Sequence, residues 1–162
     1  MRKTGLFWLW IAVLVLIVDR VTKSLALSNL TLYVERPVTK FLNFTLSYNT
    51  GSAFGFLNNS SGWEVPAFGL IAIVVSVCIL IWLFRLSRKE KWTGIALSFI
   101  VGGALGNLWD RISYGHVIDF IQLHAAKWYF ATFNIADSAI CIGAFMLVFE
   151  AVIDSSKTKK NK

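Results

Sequence analysis

Charged side chains are scarce in this chain: Asp, Glu, Lys and Arg make up 15% of its 162 residues. A soluble globular domain carries about 25%, so a water-facing surface cannot be covered and a soluble fold is excluded. Disorder is excluded from the other direction, because hydrophobic types reach 56% and the mean hydropathy is +0.63. Cysteine is nearly absent. Cys78 and Cys141 both fall inside apolar runs, where they read as small core hydrophobes rather than a disulfide framework and leave the redox compartment open. Histidine is limited to His116 and His124, at no standard helix spacing, and no His-Glu-x-x-His zinc motif is present. There is no internal repeat, and low complexity is confined to the tail Lys157-Thr-Lys-Lys-Asn-Lys162.

Long apolar runs are what the chain has in quantity. Four stretches, about 6–27, 65–84, 92–109 and 134–153, approach the roughly 20 apolar residues that a bilayer helix needs. The first is apolar from Leu6 to Val18 and then meets Asp19, Arg20 and Lys23. Arg2 and Lys3 ahead of that core would also suit a cleavable signal peptide, but the polar cluster behind it and three further spans favour a retained helix. Pro66 fits the first turn of the second span. The third is rich in small residues, Gly94, Gly102, Gly103, Ala104 and Gly106, which let helices approach closely in lipid.

The formal charge of +7 would suggest nucleic acid on a soluble protein; on a membrane chain it reports orientation. Four spans put both termini on one side. Assigning the termini and the 85–91 loop to the cytoplasm gives that side ten cations: Arg2, Lys3, Arg85, Arg88, Lys89, Lys91, Lys157, Lys159, Lys160 and Lys162. Glu90, Glu150 and Asp154 oppose them. The other side holds six cations (Arg20, Lys23, Arg36, Lys40, Arg111, Lys127) and six acids (Asp19, Glu35, Glu64, Asp110, Asp119, Asp137). The tail then reads as a topology anchor at an anionic leaflet, with no nucleic-acid partner.

The outer loops have β character. Segments 32–38 and 41–48 read as short strands, Tyr114-Gly115 as a turn into a strand at 116–124, and 127–132 as its partner, so the β regions cover about 32–48 and 116–132. Residues 50–57 could form a short interfacial helix, with a loop at 58–62. Trp63, Trp92, Trp109, Trp128 and Tyr129 sit near span ends as an interface belt.

Ionisable groups at membrane depth are costly and default to function. Here they gather at the outer ends of the spans. Asp19 and Lys23 share one helix face, as do Asn107 with Asp110 and Asn134 with Asp137. Each has a plainer reading: Asp19–Lys23 as a surface ion pair with Lys23 snorkelling, Asp110–Arg111 as charge that ends a helix, Asp119 as the wet face of a strand. Asp137 resists such a reading, one turn into an apolar span with no cation beside it. Two acids brought together in a partly dry site would hold one proton between them, so that one activates water while the other polarises a carbonyl. A Ser–Lys pair around Lys23, Ser24 or Ser138 has no motif to support it. A proton-coupled carrier built on Asp137, or a subunit presenting its outer loops to a partner, are the rival readings; a carrier wants its acid near the midplane.

Five blocks then stand in order along the chain. They are Asp19-x-x-Thr22-Lys23, Asn49-Thr50-Gly51-x-Ala53-Phe54, Gly102-Gly103-Ala104-x-Gly106-Asn107-x-x-Asp110-Arg111, Val117-x-Asp119-Phe120 and Phe133-Asn134-x-Ala136-Asp137. Together they resemble the lipoprotein signal peptidase (signal peptidase II) family of bacteria. The resemblance implies a single integral-membrane domain over 1–162: a membrane all-α core of four transmembrane helices with a small extracytoplasmic β-cradle and a short interfacial helix. It implies a cofactor-free and metal-free aspartyl endopeptidase of the bacterial inner membrane, with both termini cytoplasmic and the active site on the periplasmic side. Its substrates would be diacylglyceryl-modified prolipoproteins, cut on the amino side of the lipidated Cys, and globomycin would block it. By the same resemblance Asp119 and Asp137 are the catalytic dyad, while Asp19, Lys23, Asn49, Gly51, Asn107, Asp110, Arg111, Asn134 and Ala136 line or support the site. Asn107, Asn134 and Arg111 are expected to hold the carboxylates and the substrate backbone, Gly51 to allow close approach or a positive φ, and Phe54 and Phe56 to help wall in the signal-peptide helix and acyl chains. No heptad or charge pattern argues for more than a monomer.

Overall fold

The computed structural model describes residues 4–51, 63–125 and 128–160, with side chains left aside at 157–160. A short 3-10 turn, Gly5–Trp8, leads into α1 (Leu9–Asn29); α2 (Glu64–Arg85), α3 (Lys91–Tyr114) and α4 (Ile135–Lys160) follow. All four are long and apolar enough to cross a membrane. Their outward faces are apolar, for example Val13, Ile17 and Val21 on α1, Leu70 and Val74 on α2, and Phe145 and Val148 on α4. That inversion of the soluble pattern suits a lipid solvent. Cys78 and Cys141 belong to this outer surface, so they are lipid-facing and not the core residues expected.

α3 is the central element, and its small residues explain why. A Cβ on Gly103 would press into the Ala136 carbonyl of α4, one on Gly102 would meet the Ala12 carbonyl of α1 at 2.8 Å, and one on Gly143 of α4 would meet the Ala96 carbonyl at 2.5 Å. Backbones therefore touch where lipid supplies no hydrophobic drive of its own. α2 joins through Ile79 and Leu83, packed with Ala12, Leu97 and Val101.

Helix α3 does not stop near residue 109 as expected but continues to Tyr114, where Gly115 caps it at φ 73° and donates its N–H to the Arg111 carbonyl at 3.1 Å. Asn107, Asp110 and Arg111 consequently belong to the helix body, and the reading of Asp110–Arg111 as a helix-ending charge fails. α4 likewise runs past 153, to Lys160.

The end of the bundle away from the chain termini carries a four-stranded antiparallel sheet in the order β1 (Glu35–Pro37), β2 (Leu42–Asn49), β3 (Val117–Ala125), β4 (Trp128–Tyr129). The strand expected over 32–38 is shorter, because Tyr33 takes a left-handed turn at φ 58° and Leu32 touches β2 only as a bridge to Leu46. Between Phe44 and Ser47 the β2–β3 register slips, so two β2 residues oppose one of β3 beside Asp119. The partner expected over 127–132 is reduced to the two residues of β4, which pair His124 with Tyr129 and Ala125 with Trp128. Most of the interfacial helix proposed at 50–57, the loop at 58–62, Phe54 and Phe56 lie outside the described residues. Trp63, Trp92, Trp109, Trp128 and Tyr129 are all exposed near element ends, as a belt requires.

The close α3–α4 seam makes a testable contrast. Gly103→Ala is expected to destabilise the detergent-solubilised protein by about 1–3 kcal/mol through overpacking. Gly69→Ala, whose Cβ would meet only Leu108 at 3.7 Å, should leave the thermal midpoint nearly unchanged; equal effects of the two would refute the backbone-contact account.

Candidate active site

The site begins with a lysine that has no route to water. Lys23 is 1% exposed and Asp19 and Asp110 are 0% exposed, so the surface ion pair with a snorkelling lysine is replaced by a buried one. Buried charge persists only when paired and fully hydrogen-bonded. The ammonium forms ion pairs with Asp19 Oδ2 at 2.9 Å and Asp110 Oδ2 at 2.7 Å and donates a hydrogen bond to Asn107 Oδ1 at 3.1 Å. Asp110 also accepts from the Arg20 guanidinium and from the Ile118 N–H at 3.2 Å. Asp19 Oδ1 accepts the Ala136 N–H at 3.0 Å. Two acids and two cations thus balance while tying α1 to α3, β3 and the first turn of α4.

The second layer holds the two acids. Phe120 and Ile121 of β3 donate their N–H groups to the Phe133 carbonyl at 3.1 and 2.9 Å, and Phe133 returns its N–H to Ile121 at 3.0 Å. This clamp puts Asn134 beside Asp119. Asn134 is also the residue preceding α4: its Oδ1 accepts the Asp137 N–H at 2.9 Å, while its own N–H donates to Asp137 Oδ2 at 3.2 Å. That is a reciprocal capping box, with Asp137 in the N3 position.

Four oxygens and four donors complete the pair. Asp119 Oδ1 accepts from Asn134 Nδ2 at 2.7 Å and Oδ2 from Asn49 Nδ2 at 3.0 Å. Asp137 Oδ1 accepts from Asn107 Nδ2 at 2.7 Å, and Oδ2 takes the Asn134 N–H already described. Asn134 Nδ2 also reaches Asn107 Oδ1 at 3.2 Å. The amide orientations are not free: Lys23 can only donate, which fixes Asn107 Oδ1 toward it and Nδ2 toward Asp137. Asn49 Oδ1 is occupied by the Gly51 N–H at 2.8 Å, which turns its Nδ2 to Asp119. Gly51 itself has φ 128°, and a Cβ there would meet the Phe68 ring at 2.5 Å, so both conformation and space demand glycine.

The described polar residues that the sequence singled out gather in these two adjoining layers, and Arg111 stands differently from what was expected. Arg111 stands near both acids electrostatically but has no ion pair with either among the described residues. Its Nη1 makes a 3.5 Å bond to the Asn107 carbonyl, and its guanidinium lies 5.5 Å from the Phe68 ring centre. Asparagines hold the carboxylates instead. Arg20 was missed, because its partner Asp110 is 90 residues distant and no local spacing signals it. Glu64, buried at the start of α2 beside Gly51, was missed as well.

The acids differ in surroundings. Asp119 is 1% exposed, and burial first, then the neighbouring Asp137, push its carboxyl up to about 7. Asp137 is half-buried and lies in the first turn of α4. A neutral acid beside a carboxylate is the arrangement that activates water against a carbonyl.

Comparison with known proteins bears on this geometry. A family model described as Signal peptidase (SPase) II matches residues 11–153. Lipoprotein signal peptidases of Pseudomonas fluorescens, Pseudomonas aeruginosa and Coxiella burnetii are 52%, 50% and 48% identical to this chain. The matches cover 98%, 95% and 92% of it and 92%, 90% and 91% of the relatives. Two solved structures, each described as a bacterial membrane enzyme studied by the in meso method, superpose with TM-scores of 0.83 and 0.80 at 30% identity. They cover 97% and 93% of this chain and 95% and 97% of their own.

Asp119 would ionise near 4 in an unfolded chain and near 7 in place. Folding therefore retains a proton in that window, and this group's contribution to stability falls as pH rises through it. Infrared difference spectra should show a protonated carboxyl that disappears around pH 7 and is lost in Asp119→Asn. In Asp137→Asn the like charge is gone, so the transition should move to lower pH; an unchanged or higher value would contradict the pairing.

Proposed function

The chain belongs to the signal peptidase II family, whose members remove signal peptides from prolipoproteins, and we propose that Asp119 and Asp137 are the catalytic dyad with which it does so. The observation that carries this is the shared Asn134: its side-chain Nδ2 donates to Asp119, while its backbone N–H donates to Asp137 Oδ2 and its side-chain Oδ1 accepts the Asp137 N–H. The enzyme is an aspartic endopeptidase; its proposed substrate is a prolipoprotein whose lipobox Cys already bears diacylglyceryl, cut on the amino side of that Cys.

The chemistry follows from the two environments. Asp137, the anion, takes a proton from water as its oxygen attacks the scissile carbonyl. Asp119, the neutral acid, gives its proton to the carbonyl oxygen. A tetrahedral diol results. As its C–N bond breaks, Asp137 returns its proton to the leaving amine and the diol hydroxyl returns one to Asp119, so the pair ends as it began. Asn49, Asn107 and Asn134 keep the carboxylates in register, in a setting where fixed dipoles need no reorganisation. Lys23 positions Asn107; Asp19 and Asp110 hold Lys23; the Ala136 N–H anchors Asp19. Gly51 lets Phe68 pack against the chain that carries Asn49, and Arg111, with a guanidinium that neither acid engages directly, is the group left to bind substrate carbonyls.

This reading includes an inner-membrane location with both termini cytoplasmic and the dyad at the periplasmic edge, supported by the ten-to-six division of Lys and Arg. It also includes action as a monomer without metal or cofactor, one integral-membrane domain over 1–162, and inhibition by globomycin competing for the dyad.

A cleavage assay on lipidated prolipoprotein in detergent tests the assignment. Asp119→Asn and Asp137→Asn should each abolish processing while the proteins still accumulate in membranes and fold; retained cleavage by either removes it from the dyad. Globomycin should protect the substrate from the wild-type enzyme. Lys23→Met, checked for folding, should lower kcat about 10²-fold or more with little change in KM, because a released Asn107 misplaces Asp137 without touching substrate. A loss confined to KM would place Lys23 in substrate binding instead.

A further inference from the structure

A cavity of about 530 Å³ lies away from the dyad, between the last two turns of α1 and the sheet. Its size is within the range of about 300–1,000 Å³ typical of ligand pockets. Thr22 faces it while Lys23, the next residue, turns to Asp110; Phe120 faces it while Asp119 turns to the asparagines. The cavity thus meets a face of α1 next to that of Lys23, and the side of β3 opposite to Asp119. Leu25, Ala26, Val38, Phe44 and Phe120 make its walls apolar, and Arg36 is the charged residue on its lining. The apolar wall continues onto the outer surface of α1, where Val18, Val21 and Leu25 are exposed. Arg36 is exposed and forms no ion pair or hydrogen bond through its guanidinium among the described residues.

We propose that this cavity is a binding site for an anionic glycerophospholipid of the membrane, with an acyl chain against Leu25, Val38 and Phe44 and the phosphodiester on the Arg36 guanidinium. Three features select that occupant. The last turns of α1 are level with the polar layer that closes the membrane span, so the site stands at headgroup depth. An apolar slot that size, open toward lipid, is filled by a chain rather than by water. The free guanidinium, at the rim of the slot, matches a phosphate in charge and in fork geometry. The diacylglyceryl group of a lipidated substrate is neutral and gives Arg36 no charged partner, so the site differs from any that takes the substrate's own lipid. A lipid seated there packs against Phe120 and braces β3 from behind Asp119. This proposal goes beyond the peptidase reading and does not depend on it.

The test is lipid binding to the full-length protein in maltoside micelles, read by native mass spectrometry and by thermal shift. Dioleoylphosphatidylglycerol is the probe, with dioleoylglycerol as the phosphate-free control. The wild type should retain phosphatidylglycerol and gain thermal stability from it, and bind dioleoylglycerol about tenfold more weakly. Arg36→Gln should lose about tenfold in phosphatidylglycerol affinity and the stability gain. Val38→Trp, at an exposed wall position, should displace the lipid while leaving the fold intact by circular dichroism. Equal affinity of Arg36→Gln and wild type, equal binding of dioleoylglycerol, or full retention in Val38→Trp would each overturn the proposal, the last by showing only unspecific annular lipid.

Discussion

The rest of the site hangs on one buried ammonium. Lys23 is almost fully buried, and its ion pairs with Asp19 and Asp110 and its hydrogen bond to Asn107 are what make that position tolerable. Remove any one acceptor and a buried donor is orphaned; remove the lysine and two carboxylates are left facing each other across α1 and α3. The bond to Asn107 chooses which way that amide points. An electrostatic demand made by the membrane interior is thereby converted into the orientation of a hydrogen-bond donor on Asp137. Arg20, itself partly exposed, completes the balance at Asp110.

Around this centre the chain uses glycine and asparagine for opposite purposes. Gly102, Gly103 and Gly106 bring backbones and Asp19 so close to α3 that no larger side chain fits; a Cβ on Gly106 would meet Asp19 Oδ2 at 2.8 Å. Asn49, Asn107 and Asn134 fill the polar layer with amides that both donate and accept, so each can serve a carboxylate on one side and a fixed partner on the other. Asparagine suits that role better than a cation, since it orients an acid without cancelling the charge that chemistry needs. Arg111 is thereby released from the duty that its position in the motif suggested.

Much of this was legible in the residues alone. Apolar runs of bilayer length, small residues along the third span and the layering of acids at one end all follow from composition and period, because lipid imposes strong, local rules. Asp137 stood out as an acid with no reason to be inside an apolar span, while its proposed pairing with Asp119 rested on the family resemblance. What stayed hidden was long-range. The burial of Lys23 could not be told from a surface i, i+4 pair, since both have the same spacing. The pairing of Arg20 with Asp110 spans 90 residues. The end of α3 was placed too early because charge at Asp110 and Arg111 looks like a membrane exit, whereas the backbone stops only where Gly115 permits a left-handed turn. The asparagine network itself was expressed in sequence only as isolated polar letters.

Asp137 occupies N3 of α4 and Asn134 caps it, which couples two events usually separate. The second acid does not reach its place until the final helix has started, and the clamp at Phe133 does not close until β3 has found the chain that precedes that helix. A nascent chain with only three helices threaded carries Asp119 but no counterpart for it. With the proposed pair, competence to cut peptide bonds arrives only with the final helix, so the order of synthesis itself keeps a half-built chain inert.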